Sequence, residues 1–222
     1  SGLISANTFL TLAARYLFTT RGWKNKGVGK TVVCTTMIDK WAADAETPVY
    51  EVPLGFKYFS QLLFDGAIGI GGEESAGASF LKKDGNVWTT DKDGMIMALL
   101  SMEIMAVMGK SALKMADEFV EEFGNPSFGR IDAPCKKEQK QILKQMSAEL
   151  ITATTVDGDP IMNIRTTSLY NDMPIDGVRV ETDKGWFVAR PSGTEDLYKI
   201  YGESYKGDLG LVALLTAGEE IV

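Results

Sequence analysis

Apolar residues change their spacing partway along this chain, and that change limits what it can fold into. Over residues 1–130, short β-branched runs alternate with helical stripes. Phe9, Leu10, Ala13, Ala14, Leu17 and Phe18 draw one such stripe, with Asn7 as its N-cap. Residues 30–34 (KTVVC), 49–52 and 67–71 read as strands, with helices expected over 37–43 and around Phe59, Leu62 and Leu63. Strands alternating with helices predict a mixed-sheet α/β domain. A hairpin turn at Asp84-Gly85, a long helix over 94–108 and a helix capped by Ser111 that reaches Phe123 complete it.

Residues 131–150 are polar and lysine-rich (KKEQKQILKQ), with Pro134 near their head, and read as a linker with some helix. Beyond them the grammar is that of closely set strands, at 161–165, 178–181, 186–190 and 197–201, followed by an apolar helix over 209–221. The turn Asp183-Lys184-Gly185 sets up an antiparallel pair. Residues 151–222 therefore predict a smaller α+β domain with an antiparallel sheet.

Composition narrows the function classes. A net charge of -7 argues against general nucleic-acid binding, which needs a basic surface. The most apolar stretch, residues 95–107, is broken by Ser101 and Glu103 and is too short for a membrane span. Its methionines, Met95, Met97, Met102 and Met105, together with Met108, are expected to pack a core helix. With no histidine, proton transfer falls to carboxylates, lysines or water, and histidine triads and histidine-ligated metals are excluded. Cys34 and Cys135 form no paired motif, which points to a reducing cytoplasm. The chain opens at Ser1-Gly2-Leu3 with a helical pattern almost at once, and reads as a piece of a longer protein.

Two loops carry the chemistry. In Gly71-Gly72-Glu73-Glu74-Ser75-Ala76-Gly77, glycines permit a sharp turn and close ligand approach. Glu73 and Ser75 there could accept and donate hydrogen bonds to neighbouring sugar hydroxyls; a solvated charged turn is the alternative. In Arg190-Pro191-Ser192-Gly193-Thr194-Glu195, an arginine fork, two hydroxyls and an exposed backbone amide make an oxyanion cradle, to which Lys199 could add charge. An ordinary tight turn is the alternative there. Lys57, in Phe56-Lys57-Tyr58, and Lys92, in Thr90-Asp91-Lys92-Asp93-Gly94, could stabilise a phosphoryl group, though most such lysines are merely solvated. Asp91 reads as a helix cap.

Taken in order, GFKYF, GIGGEESAG, TTDKDG and RPSGTEDLYKIY resemble the α-D-phosphohexomutase superfamily, most closely the bacterial phosphoglucomutases. The likeness covers nearly the whole chain and corresponds to the third and fourth of the family's four domains. It implies that Glu73 and Ser75 read sugar hydroxyls, and that Arg190, Ser192, Gly193 and Thr194, with Lys199, bind the phosphate that is not transferred. It also implies Lys92 as a candidate acid/base and the Gly55, Phe56 and Lys57 loop as a contact for the reversed sugar. The family's phosphoserine loop and its Asp-x-Asp-x-Asp magnesium loop have no counterpart here; Asp157-Gly158-Asp159-Pro160 is a poor echo.

The expected function is thus part of an enzyme that interconverts glucose 1-phosphate and glucose 6-phosphate through a phosphoserine and a glucose 1,6-bisphosphate intermediate. Magnesium and glucose 1,6-bisphosphate would serve the intact enzyme, with neither metal nor cofactor held by this chain's residues. Partners would be a hexose phosphate and the preceding domains, with no nucleic acid and no membrane, and the chain alone would be inactive. The competing expectation is a non-catalytic sugar-phosphate-binding or interaction protein of the same fold.

Overall fold

A computed structural model describes residues 3–221; Ser1, Gly2 and Val222, at the outer ends of the two expected domains, lie outside the described residues. The chain divides into two compact units, Ser1–Gly124 with Leu169–Asn171, and Asn125–Ser168 with Asp172–Val222.

In the first unit, helix α1 (Ala6–Arg21) leads into strand β1 (Gly27–Thr31), helix α2 (Met37–Asp44), strand β2 (Val49–Val52) and helix α3 (Lys57–Phe64). Strands β3 (Ile68–Gly72) and β4 (Ala78–Phe80) and helices α4 (Gly94–Met108) and α5 (Ala112–Phe123) follow. The sheet order is β2-β1-β3-β4, with β1 parallel to both neighbours and β4 antiparallel to β3. This is the expected mixed-sheet α/β layer. Helices cover both faces because β3 is glycine-rich. A Cβ at Gly71 would meet the Phe59 ring of α3 at 2.9 Å, and one at Gly72 would meet Leu10 of α1 at 2.4 Å.

Local details differ from the sequence reading. The cap of α1 is Ser5, whose Oγ accepts from the Thr8 N–H at 3.1 Å. Asn7 is instead buried inside the helix, its Oδ1 accepting from the Thr35 N–H at 3.2 Å. Strand β1 ends at Thr31, where the Cys34 N–H turns back onto the Thr31 carbonyl at 3.0 Å. In α4 only Met97, Leu100 and Ile104 are buried, while Met95 and Met102 are 77% and 64% exposed. The expected methionine core thus fails for most of its members: α4 is apolar over most of its circumference, broken by Ser101 and Glu103, and one stripe of it is buried.

The second unit starts with strand β5 (Ser127–Pro134) and helix α6 (Lys137–Lys144). Strands β6 (Thr155–Val156), β7 (Asp159–Thr167), β8 (Pro174–Thr182), β9 (Gly185–Pro191) and β10 (Leu197–Ser204) follow, and helix α7 (Gly207–Ile221) closes it. Its antiparallel sheet has the order β5-β10-β9-β8-β7-β6. The stretch 131–150, expected as a linker, is built into this unit. Residues 131–134 belong to β5, which pairs with β10 over its whole length, and α6 buries Leu143 in the core. Charged residues at alternate positions hid the strand: Arg130 and Asp132 fall on one face and Ile131 on the other.

Val178 and Val180 join the core with Leu214 and Leu215, which puts Arg179 and Glu181 on the other face of β8. There the Glu181 Oε1 accepts from Arg179 Nε at 2.6 Å and from Arg165 Nη2 at 3.1 Å. The Arg179 guanidinium also lies 4.2 Å above the Trp186 ring. Burial alone would raise the Glu181 carboxyl, but the two arginines outweigh it and hold it at about 2, below its ordinary 4.5. Its stabilisation is therefore complete above the unfolded value and lost as pH falls from there toward the folded one, on the order of 2–3 kcal/mol in all. Urea midpoints should fall between pH 5 and pH 2.5, and Glu181→Gln should flatten that fall while lowering the midpoint at pH 7. An unchanged acid slope in the variant would assign the effect to other groups.

Candidate functional site

The parallel strands β1, β2 and β3 end on one side of the first unit, and the loop after β3 is the glycine-flanked turn of residues 73–77. Its ends are tied by the Glu73 N–H donating to the Gly77 carbonyl at 2.8 Å, and by the Ala76 N–H donating to the Glu73 carbonyl at 3.1 Å. Ala76 sits at φ 75°, a left-handed conformation that tightens the turn. Ser75 is exposed at the tip.

Lys92 reaches this loop from 19 residues on, its Nζ 3.5 Å from Glu73 Oε2. The Lys92 side chain is 56% exposed and that of Glu73 11%, so the carboxylate is sheltered and the ammonium is open to a ligand. Both lie over Gly77, where a Cβ would meet Glu73 Oε2 at 2.7 Å and Lys92 Cδ at 2.8 Å. Asp93 fixes the segment: its N–H donates to the Ala78 carbonyl at 2.9 Å. Its carboxylate caps α4 by accepting from the Met95 and Ile96 N–H groups. The Trp88 indole N–H, 3.0 Å from Asp93 Oδ2, is the main cause that lowers this carboxyl below its ordinary value. Asp93, then, is the cap expected at Asp91; the Asp91 carboxylate accepts the Lys92 N–H at 2.8 Å.

Glu74 turns back toward β1, with the Thr31 hydroxyl 3.4 Å from its Oε2. Full burial, helped by the Glu74 charge, pushes the Cys34 thiol up to about 12, so it is inert as a nucleophile. After β2, Gly55 takes φ 120° and Phe56 turns inward, its ring 5.4 Å from that of Phe59. A ligand would meet the Gly55 backbone and the exposed Lys57 there, because the Phe56 side chain belongs to the core. Lys30, in the same strand-end region, is buried and paired with Asp39.

In the second unit, Arg190, next to the end of β9, stands directly opposite Lys199 of β10, and Lys199 faces Asp132 of β5. Lys199 Nζ is 3.2 Å from Glu195 Oε2 and 3.9 Å from Asp132 Oδ2. The Arg190 Nε is buried without a hydrogen-bond partner among the described residues. Ser192 is buried; its Oγ accepts from the Glu195 N–H at 3.2 Å and the Thr194 N–H at 3.4 Å, and its own N–H donates to the Leu197 carbonyl at 2.8 Å. These bonds fold residues 192–197 into a closed loop, with Gly193 and Thr194 exposed on it. A Cβ at Gly193 would meet nothing within 4 Å, so a ligand has open approach to that backbone. Lys140 of α6 braces the loop by donating to the Glu195 carbonyl and to Asp196 Oδ1, the latter at 3.1 Å. Its role was hidden by reading 131–150 as a linker.

The structure thus gathers Glu73, Ser75 and Lys92 in one unit, and Arg190, Ser192, Gly193, Thr194 and Lys199 in the other. Asp157 and Asp159 both hold Lys206 Nζ, at 2.8 and 3.1 Å, and no group of three or more acidic or cysteine ligands occurs among the described residues. Among those residues, no single helix is long and apolar enough to cross a membrane.

Residues 5–123 match the family described as phosphoglucomutase/phosphomannomutase, alpha/beta/alpha domain III, and residues 131–210 match its C-terminal domain. The phosphoglucomutase of Komagataeibacter xylinus is 45% identical over the whole chain, which spans 40% of that protein's length. Among solved structures, a phosphoglucomutase/phosphomannomutase family protein of Burkholderia thailandensis superimposes with a TM-score of 0.72 at 19% identity, covering 100% of this chain and 42% of that one. The Paramecium phosphoprotein parafusin, a phosphoglucomutase in its open form, gives 0.70 at 21% identity, with 99% and 41% covered.

Proposed function

The chain belongs to the phosphoglucomutase/phosphomannomutase family, carrying its third and C-terminal domains, and on that premise we propose that it supplies the sugar-hydroxyl and phosphate-binding loops of a phosphoglucomutase. The intact enzyme would interconvert glucose 1-phosphate and glucose 6-phosphate, through a phosphoserine and a glucose 1,6-bisphosphate intermediate. Glu73 accepts hydrogen bonds from sugar hydroxyls, Ser75 donates or accepts beside it, and Gly55 and Lys57 line the approach. Lys92, paired with Glu73 and open to solvent, moves a proton or offsets phosphoryl charge. Arg190, Ser192, Gly193 and Thr194 take the phosphate that is not transferred, and Lys199 adds positive charge.

The observation that carries this reading is the Arg190 guanidinium. Its Nε lacks an internal partner, it stands opposite Lys199, and it opens onto a loop whose backbone at Gly193 is free to approach. A buried donor left unmet is costly unless a ligand meets it, and a phosphate oxygen would do so with charge assistance. Phosphoryl transfer depends mostly on positioning and charge stabilisation, which is the part these loops perform.

The phosphoserine and magnesium loops have no counterpart in this sequence, so this chain alone binds and does not turn over. Two buried free cysteines fit a reducing compartment such as the cytoplasm. Residue-resolved NMR titration with glucose 1-phosphate tests the proposal: amide shifts are expected at residues 71–77 and 192–195.

A further inference from the structure

A cavity of about 560 Å³ opens in the first unit away from the Glu73 loop. It lies where β1 and β3 begin, and Arg21, Trp23, Lys24, Lys26, Lys83 and Asp84 stand in its wall. Strand β3 runs from this end to the Glu73 loop, which separates the two by roughly 16 Å. The wall carries four cations against one carboxylate, in a chain whose net charge is -7.

Their partners make the imbalance larger. Lys30, Lys110, Lys140 and Lys206 each hold a carboxylate within ion-pair distance. Lys24, Lys26 and Lys83 hold none among the described residues; Lys26 Nζ donates to the neutral Gly66 carbonyl at 2.8 Å. Asp84, the one carboxylate in the wall, already lies near Lys82 and accepts from the Asn86 N–H. Two buried donors in the same wall residues are also unmet. Among the described residues, the Trp23 indole nitrogen and the Arg21 Nε have no hydrogen-bond partner, although the Arg21 side chain is only 9% exposed and its Nη2 is paired with Glu103.

Three uncompensated ammonium groups around one concavity, with two unmet N–H donors buried in the residues behind it, have the chemistry of an oxyanion site. We propose that this cavity binds a small multivalent oxyanion of the phosphate class, independently of the Arg190 loop. Free phosphate and phosphate esters share that chemistry. Lys24 and Lys83 are exposed and would supply the long-range attraction, while Lys26 is held in place by Gly66.

The test is a titration of the full chain with inorganic pyrophosphate, and separately with glucose 6-phosphate, read at the assigned indole N–H resonance of Trp23. A saturable Trp23 shift with pyrophosphate alone assigns a free anion, and a shift with both extends the site to esters. In Lys24→Ala/Lys83→Ala the apparent Kd should rise about tenfold, and in Arg190→Ala it should be unchanged. No saturable Trp23 shift with either compound, or a shift that Arg190→Ala removes and the lysine variant keeps, overturns the proposal.

Discussion

Arg190→Ala is expected to weaken glucose 1-phosphate binding by roughly 100-fold, the equivalent of about 2.7 kcal/mol. Charge-assisted hydrogen bonds to phosphate contribute about 1.5–3 kcal/mol each when their partner is deleted. Lys199 cannot take over, because its ammonium is already drawn between Glu195 and Asp132. Arg190→Lys should recover part of the loss, since a lysine restores charge without the planar fork. The fold should tolerate the change, because the Arg190 Nε makes no internal hydrogen bond whose loss would strand a partner. Calorimetric titration gives the affinity, and a urea midpoint close to that of the parent confirms that the site, and not the fold, was lost. An alanine variant that binds as tightly as the parent would remove this loop from the ligand.

Gly177→Ala should be the most damaging small substitution in the second unit. A Cβ there would lie 2.2 Å from the Ala189 carbonyl oxygen, 2.7 Å from Arg190 Cβ and 3.0 Å from Arg190 Cα. Two of these three atoms are backbone of the neighbouring strand β9, so no rotamer change relieves the contact. Strands β8 and β9 must separate at that point, at a cost of about 3 kcal/mol. Because the displaced residue is Arg190, phosphate affinity should fall together with stability. Thermal unfolding followed by calorimetry should show a lower midpoint for the second unit. A variant as stable as the parent would mean that the strands are not packed this tightly.

Much of this was legible where the signal is local. Helices α4 and α5 were readable from their caps: Gly109 at φ 62° stops the first, and the Ser111 Oγ accepts from the Lys114 N–H at 3.2 Å to start the second. Strand β5 was not legible, because it pairs with β10, 69 residues on by the Ile131–Ile200 register. The exposed Met95 and Met102 were misjudged for a related reason. Apolar content says a helix wants burial, but only tertiary structure says which stripe finds a partner.

The functional loops were legible as glycine-bracketed polar clusters, but their neighbours were not. Nothing between residues 73 and 92 announces that Lys92 returns to Glu73, since that contact depends on Asp93 pinning the segment to Ala78. Phe56 belongs to a ligand-type motif in sequence and to the core in space. Lys140 braces the phosphate-type loop from a helix that its lysine-rich composition disguised as a connector.

The decisive measurement is the titration of the labelled chain with glucose 1-phosphate, followed amide by amide. The account predicts saturable shifts at Glu73, Ser75 and Gly77 and at Ser192, Gly193 and Thr194, with those of the second group abolished by Arg190→Ala. Saturable shifts confined to other residues, with both loops silent, would contradict it.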